Sequence, residues 1–246
     1  MIFDDLKGAA RTAVVAGSGL SPRRWPGKVA ASIPYGEIGG LGATSVEGHP
    51  GRLLLIETAG GPILVFAGRR HLYEGGGLES AGAIPRAASH LGCRAIVLTQ
   101  AAGSLTPSLP VGSWLLPSAV VALPWREASG ESPAISESLR ARVAAAAADA
   151  GIALRDGQLY WTAGPAYETP AEASMAALMG ASAATMSPLP ELLAASEKGL
   201  EAVCLSYITN FAPNVGEGHT GHEMVLEAGK RGSRGVLSLL PELAKI

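Results

Sequence analysis

Short apolar runs, many of them β-branched, recur along the chain and are separated by glycine-rich turns or by longer stretches with helical spacing. The runs TAVVA (12–16), RLLLIE (52–57), PILVFA (62–67), RAIVLT (94–99), SWLLPSAVVA (113–122), QLYWTA (158–163), SAATM (182–186) and EAVCLSYIT (201–209) predict strands. Several are continuously apolar, the pattern of strands covered on both faces. Between them, residues 78–91, 135–150, 170–179, 189–198 and about 222–243 predict helices. Crossovers of that length permit parallel pairing, so the alternation implies an α/β fold, with three α/β/α layers and a central mixed or largely parallel β-sheet. The adjacent runs 52–57 and 62–67, joined through Ala59, Gly60 and Gly61, predict an antiparallel hairpin within that order. Nothing resembling a linker divides residues 1–246, so one domain is expected.

In sheets of this kind ligands gather beyond the carboxyl ends of the strands. Polar clusters fall at those places: Gly17-Ser18-Gly19 after the first run, GRRHLYEG (68–75) after PILVFA, and QAAGS (100–104) after RAIVLT. Later come GPAYET (164–169), Ser187 and Asn210. The richest is GRRHLYEG. In an extended continuation of the strand, Arg69, His71 and Tyr73 share one face. A guanidinium fork suits a phosphate, an imidazole can donate to an oxyanion or move a proton, and a phenol can cover or hydrogen-bond a neutral group. The trio suits a ligand that combines phosphate with a sugar; an edge strand with a solvated polar face is the alternative.

Composition narrows the classes. With 48% hydrophobic and 16% charged residues, the chain can bury a large core, which argues against disorder. A net charge of −2, with Lys and Arg scattered, offers no stripe for nucleic acid. No apolar stretch reaches the ~18 residues of a spanning helix, and the N-terminus lacks the basic and apolar regions of a leader, so no membrane association and a cytoplasmic location are expected. Cys93 and Cys204 sit beside apolar runs and read as buried thiols in a reducing compartment.

Three competing motifs fail. Gly17-Ser18-Gly19-Leu20-Ser21-Pro22 lacks the third glycine of a dinucleotide fingerprint, and Pro22 interrupts the helix that should follow. His222-Glu223 has Leu226 where a zinc protease motif needs its second histidine. Ala16 replaces the first glycine of a nucleophile elbow at Ser18.

Taken in order, GSGL (17–20), EGHPGR (47–52), GRRHLYEG, QAAGSL (100–105), AGPAYET (163–169), ATMSPLPE (184–191), ITN (208–210) and GHEMVL (221–226) resemble the trimeric, low-molecular-mass purine nucleoside phosphorylases. The resemblance implies phosphorolysis of a purine nucleoside to free base and ribose 1-phosphate, with inorganic phosphate as co-substrate and no metal or organic cofactor. It implies phosphate binding by Ser18, Arg69, His71, Ser187 and the backbone N–H of Ala102. Ribose contacts fall to Tyr73, Met186 and His222, and base contacts to Ala101, Tyr167, Glu168, Thr209 and Asn210. His71, Glu168 and Asn210 are the implied catalytic residues. Alone, Glu168 reads equally well as an acid opening a helix, Asn210 and Ser18 as turn residues, and His222 as a solvated helix start. His49 belongs to the matching EGHPGR loop, as a wall or an approach to phosphate, and His219 reads as a solvated loop residue.

The chain departs from the family pattern at Gln100 in place of Asn, Ser104 in place of Gly and Tyr167 in place of Phe. Residues 124–134 are too short for the family's aromatic lid over the neighbouring sugar site, with Trp125 the nearby substitute. The resemblance implies a homotrimer and a preference for 6-oxopurines such as inosine and guanosine. A phosphorylase of 5′-methylthio nucleosides and a non-catalytic nucleoside-binding protein are the alternatives.

Overall fold

The computed structural model describes residues 2–18, 20–22, 24–46, 49–122, 135–216 and 221–246, the side chain of His222 excepted. Residues 124–134, the segment read as too short for the family's lid, with Trp125, and His219 lie outside the described residues.

Nine strands form one mixed sheet: β1 (Thr12–Ala16), β2 (Lys28–Pro34), β3 (Arg52–Thr58), β4 (Gly61–Ala67), β5 (Ala95–Ser104), β6 (Trp114–Ala122), β7 (Leu154–Trp161), β8 (Ala183–Thr185) and β9 (Glu201–Phe211). The helices are α1 (Gly77–Ala81), α2 (Ala83–His90), α3 (Glu137–Asp149), α4 (Pro170–Leu178), α5 (Leu189–Glu197) and α6 (His222–Leu243). The expected hairpin is present as the antiparallel pair β3 and β4. β1 lies parallel between β4 and β5.

The strand pattern explains the layers. Successive side chains of a strand point to opposite faces, and in β1 Val15 joins the core under α2 and α5 while Val14 joins the core under α3 and α6. Phe66 and Val65 of β4 divide in the same way. Both faces of the central strands are therefore dry, which is why these runs carry no polar alternation.

Two sequence expectations need correction. β2 lies at the edge of the sheet on β3: only Ala31 and Ile33 are buried in it, alternating with exposed Ser32, so it lacks the continuous run of buried side chains of the central strands. The single helix expected over residues 78–91 is two helices that break at Gly82. Pro85 cannot donate to the carbonyl of residue 81, and a Cβ at Gly82 would lie 2.8 Å from that of Ala194, so α5 packs directly against the break.

The second half of the sheet positions the site. β5 pairs with both β8 and β9, and the pairings β8–β7, β7–β6 and β6–β9 close a ring. β8 runs antiparallel to β5, so the carboxyl ends of these two strands do not share a rim. The polar residues of β5 and β9 also lie within those strands rather than beyond them. Segments of β5, β8 and β9 and the chain that follows β1, β4 and β7 meet at one cleft.

Candidate active site

A single cleft enclosing about 730 Å³, open solvent at its mouth included, is lined by residues from every one of the six polar clusters. Ser18, Arg69, His71, Ala102 and Ser187 line it, as do Tyr73, Met186, Ala101, Tyr167, Glu168, Thr209 and Asn210. His222 is the first residue of α6, and its side chain lies outside the described residues.

Ser18 reaches the cleft because Gly17 lets β1 turn against β5: a Cβ there would lie 2.5 Å from the Thr99 carbonyl oxygen. The Ser18 hydroxyl is 2.8 Å from His49 Nε2, and the Arg69 backbone N–H donates to His49 Nδ1 at 2.6 Å. In a neutral imidazole only one nitrogen bears a proton, so an accepting Nδ1 leaves Nε2–H to donate to Ser18 Oγ. Ser18 thereby keeps its own O–H to offer the cleft. His49 is thus buried in the wall behind Ser18.

The trio Arg69, His71 and Tyr73 does line one cleft, but the backbone is not a continued strand. β4 ends at Ala67, His71 is extended, and Leu72–Glu74 forms a 3₁₀ turn. The His71 ring stacks on Tyr73 with centroids 4.9 Å apart and meets His49 edge-on at 5.3 Å. Glu74 accepts from the His71 backbone N–H at 2.7 Å and lies 3.1 Å from His71 Nδ1. Burial pushes the Glu74 carboxyl upward, but hydrogen bonds from His71 and Ser45 outweigh it and hold the group well below the usual carboxylate range. Burial, with Glu74 and Tyr167 nearby, pushes the Tyr73 phenol up to about 12, so it stays neutral.

Arg69 is 1% exposed, and its guanidinium faces three ways. Nη2 donates to the Thr99 carbonyl at 2.9 Å, Nε lies 3.3 Å from Glu191 Oε1, and the side chain lines the cleft. Glu191, also buried, was outside the sequence-derived site; it stands in the first turn of α5, just after Ser187. Burial raises its carboxyl to about 7, against the pull of Arg69.

At the other end Thr209 and Asn210 both line the cleft although they are neighbours in a strand. The register with β5 shows why: Ala102 pairs with Ile208 and Gly103 with Asn210, so Thr209 is an extra residue on β9 and the bulge re-aims the side chains. Asn210 is therefore a strand residue and not a turn residue. The Thr209 hydroxyl donates to Asn210 Oδ1 at 2.8 Å, and Asn210 Nδ2 donates to the Phe211 carbonyl at 3.1 Å. Glu168 precedes Thr169, the residue that caps α4 together with Glu172, and so stands outside the helix. Its Oε1 accepts from Thr162 at 3.1 Å.

Tyr73 and Met186 meet between the two ends. A Cβ on Gly164, whose φ is +69°, would fall 2.6 Å from Met186 Sδ and 2.8 Å from a Tyr73 ring carbon. Thr185 and Val225 also line the cleft and were not anticipated. Val225 stands three residues after His222, the spacing that shares a helix face, and that was the available signal. Among the described residues no group of three or more His, Cys, Asp or Glu side chains could hold a metal ion.

The cleft thus joins hydroxyl and guanidinium donors at one end to an acid and an amide at the other. The sequence profile of the Phosphorylase superfamily matches residues 11–245. The chain belongs to that superfamily. Within it, the chain is 34% identical over 234 residues to the purine nucleoside phosphorylase of Mycobacterium tuberculosis, covering 94% of this chain and 87% of that protein. It is 32% identical over 227 residues to purine nucleoside phosphorylase 1 of Geobacillus stearothermophilus, covering 87% and 83%. Among solved structures, Schistosoma mansoni purine nucleoside phosphorylase in complex with adenosine matches with a TM-score of 0.81 at 27% identity, over 96% of this chain and 91% of that one. The superfamily member described here therefore has the α/β fold with a central mixed sheet of the purine nucleoside phosphorylases.

Proposed function

We propose that this chain is a purine nucleoside phosphorylase acting on 6-oxopurine nucleosides, inosine and guanosine, as one domain over residues 1–246. The observation that carries the reading is the convergence of Ser18, Arg69, His71 and Ser187 with Glu168 and Asn210 on one cleft. Phosphate, held by Ser18, Arg69, His71, Ser187 and the Ala102 N–H, attacks the anomeric carbon as the glycosidic bond breaks. The electron pair of that bond passes to the purine, which leaves as free base after taking up a proton, and ribose 1-phosphate forms. Positive charge grows on the sugar beside the phosphate and negative charge on the purine, so donors at the base stabilise the transition state more than the ground state.

Tyr73, Met186 and His222 hold the ribose, and Ala101, Tyr167 and Thr209 shape the base pocket. Asn210 Nδ2 donates to N7 or O6 of the base. Glu168 accepts from N1–H, and from the 2-amino group of guanine. A 6-amino group needs an acceptor where Asn210 offers a donor, so adenosine turns over poorly; occupancy by adenosine, as in the Schistosoma complex, is a separate property from turnover.

Parallel assays of inosine, guanosine, adenosine and 5′-methylthio nucleosides, with and without phosphate, test this reading. Phosphate-dependent cleavage of the first two supports it. Preference for adenosine contradicts the base-site assignment. We further propose a homotrimer in the cytoplasm. Met175, Leu178 and Met179 expose apolar surface around the end of α4 that subunit contact could cover, and solution mass tests the assembly.

A further inference from the structure

Arg69 and Glu191 form the most deeply buried ion pair among the described residues, with 2% and 3% of their side chains exposed. Nε and Oε1 are 3.3 Å apart, but neither Glu191 oxygen has an aligned hydrogen bond, and Nε and Nη1 of Arg69 have none either. A buried pair left this loosely bonded is a poor source of stability, since desolvating two charges offsets much of their attraction. Its placement suggests another use. Arg69 is anchored at Nη2 by the Thr99 carbonyl, faces Glu191 with Nε, and lines the cleft, with Nη1 3.4 Å from where a Gly17 Cβ would stand beside Ser18. Glu191 in turn is fixed by the first turn of α5, whose preceding residues carry Ser187 into the same cleft.

We propose that Glu191 is a positioning residue for phosphate: it holds the Arg69 guanidinium in the plane that presents its remaining N–H groups to the anion. This rests on the phosphorolysis reading above. Glu191 itself does not touch the substrates. The loose alignment of Nε leaves the guanidinium able to settle its charge between Glu191 and an arriving phosphate. The shared turn of α5 ties that adjustment to Ser187.

The test is the effect of Glu191 variants on the phosphate KM measured against the nucleoside KM. Glu191→Ala should raise the phosphate KM by about ten-fold or more and leave the nucleoside KM at saturating phosphate within about two-fold, as expected for loss of one charge-assisted contact. Glu191→Gln, whose amide oxygen can still face Nε, should recover most of the loss. Because Glu191 acts through Arg69, Arg69→Ala/Glu191→Ala should bind phosphate no worse than Arg69→Ala alone. The double variant removes both buried charges, so this comparison stands even where Glu191→Ala does not fold. An unchanged phosphate KM, a parallel rise in both KM values, a Gln variant as impaired as Ala, or a double variant worse than Arg69→Ala each overturns the proposal. Phosphate-independent base release by the unaltered protein would instead overturn the phosphorolysis reading.

Discussion

The Thr162 hydroxyl donates to Glu168 Oε1 at 3.1 Å, across the turn that joins β7 to α4. Thr162 ends the β7 side of the turn, and Glu168 stands just before the α4 cap, so the hydrogen bond fixes the carboxylate of a residue outside any regular element. Under the proposed function, a base that donates N1–H needs that carboxylate aimed in advance. Thr162→Val keeps the shape and removes the donor. It should lower kcat/KM for guanosine by about ten-fold while the phosphate KM stays near normal, and Thr162→Ser should restore it. Steady-state kinetics with guanosine as the varied substrate check this.

Behind the proposed phosphate end, His49 couples Arg69 to Ser18 by accepting at Nδ1 and donating at Nε2. His49→Ala removes the donor that fixes the Ser18 hydroxyl and leaves a buried Arg69 N–H without its acceptor. The phosphate KM should rise by roughly three- to ten-fold, with a smaller change in the nucleoside KM. Equal effects on both substrates would show that His49 only packs the wall.

Glu74 gives the turn around His71 an acid-sensitive contact. A carboxyl whose folded pKa is depressed binds protons less readily in the native than in the unfolded chain. Its contribution is therefore complete above the unfolded value of about 4.5 and is lost as pH falls through the lower folded value. The thermal midpoint of the unaltered protein should drop on acidification below about pH 4.5 more steeply than that of Glu74→Gln. Calorimetry across that range is the measurement; parallel curves for the two proteins would remove Glu74 from this role.

What could be read in the sequence follows the range of the forces involved. β1, β4 and β9 were legible because strands dry on both faces need continuous apolar runs, whereas β2 was not, since an edge strand needs only Ala31 and Ile33 on its inner face. Arg69, His71 and Tyr73 were legible as chemistry, yet their shared direction comes from a 3₁₀ turn rather than from strand alternation. Thr209 and Asn210 share the cleft through a bulge that depends on pairing with β5, which local pattern does not encode. Glu191 looks in sequence like any acid in a first helical turn; only packing of α5 against the sheet reveals that it faces Arg69.

The central claim is that phosphate, not water, attacks the sugar. Inosine should be incubated with the protein in phosphate-free buffer and again with inorganic phosphate, and the sugar product followed by ³¹P NMR. Phosphorolysis predicts hypoxanthine release only in the second case, with ribose 1-phosphate formed in equal amount and the Arg69→Ala variant needing far more phosphate. Hypoxanthine appearing equally in both buffers, with free ribose as its partner, would contradict it.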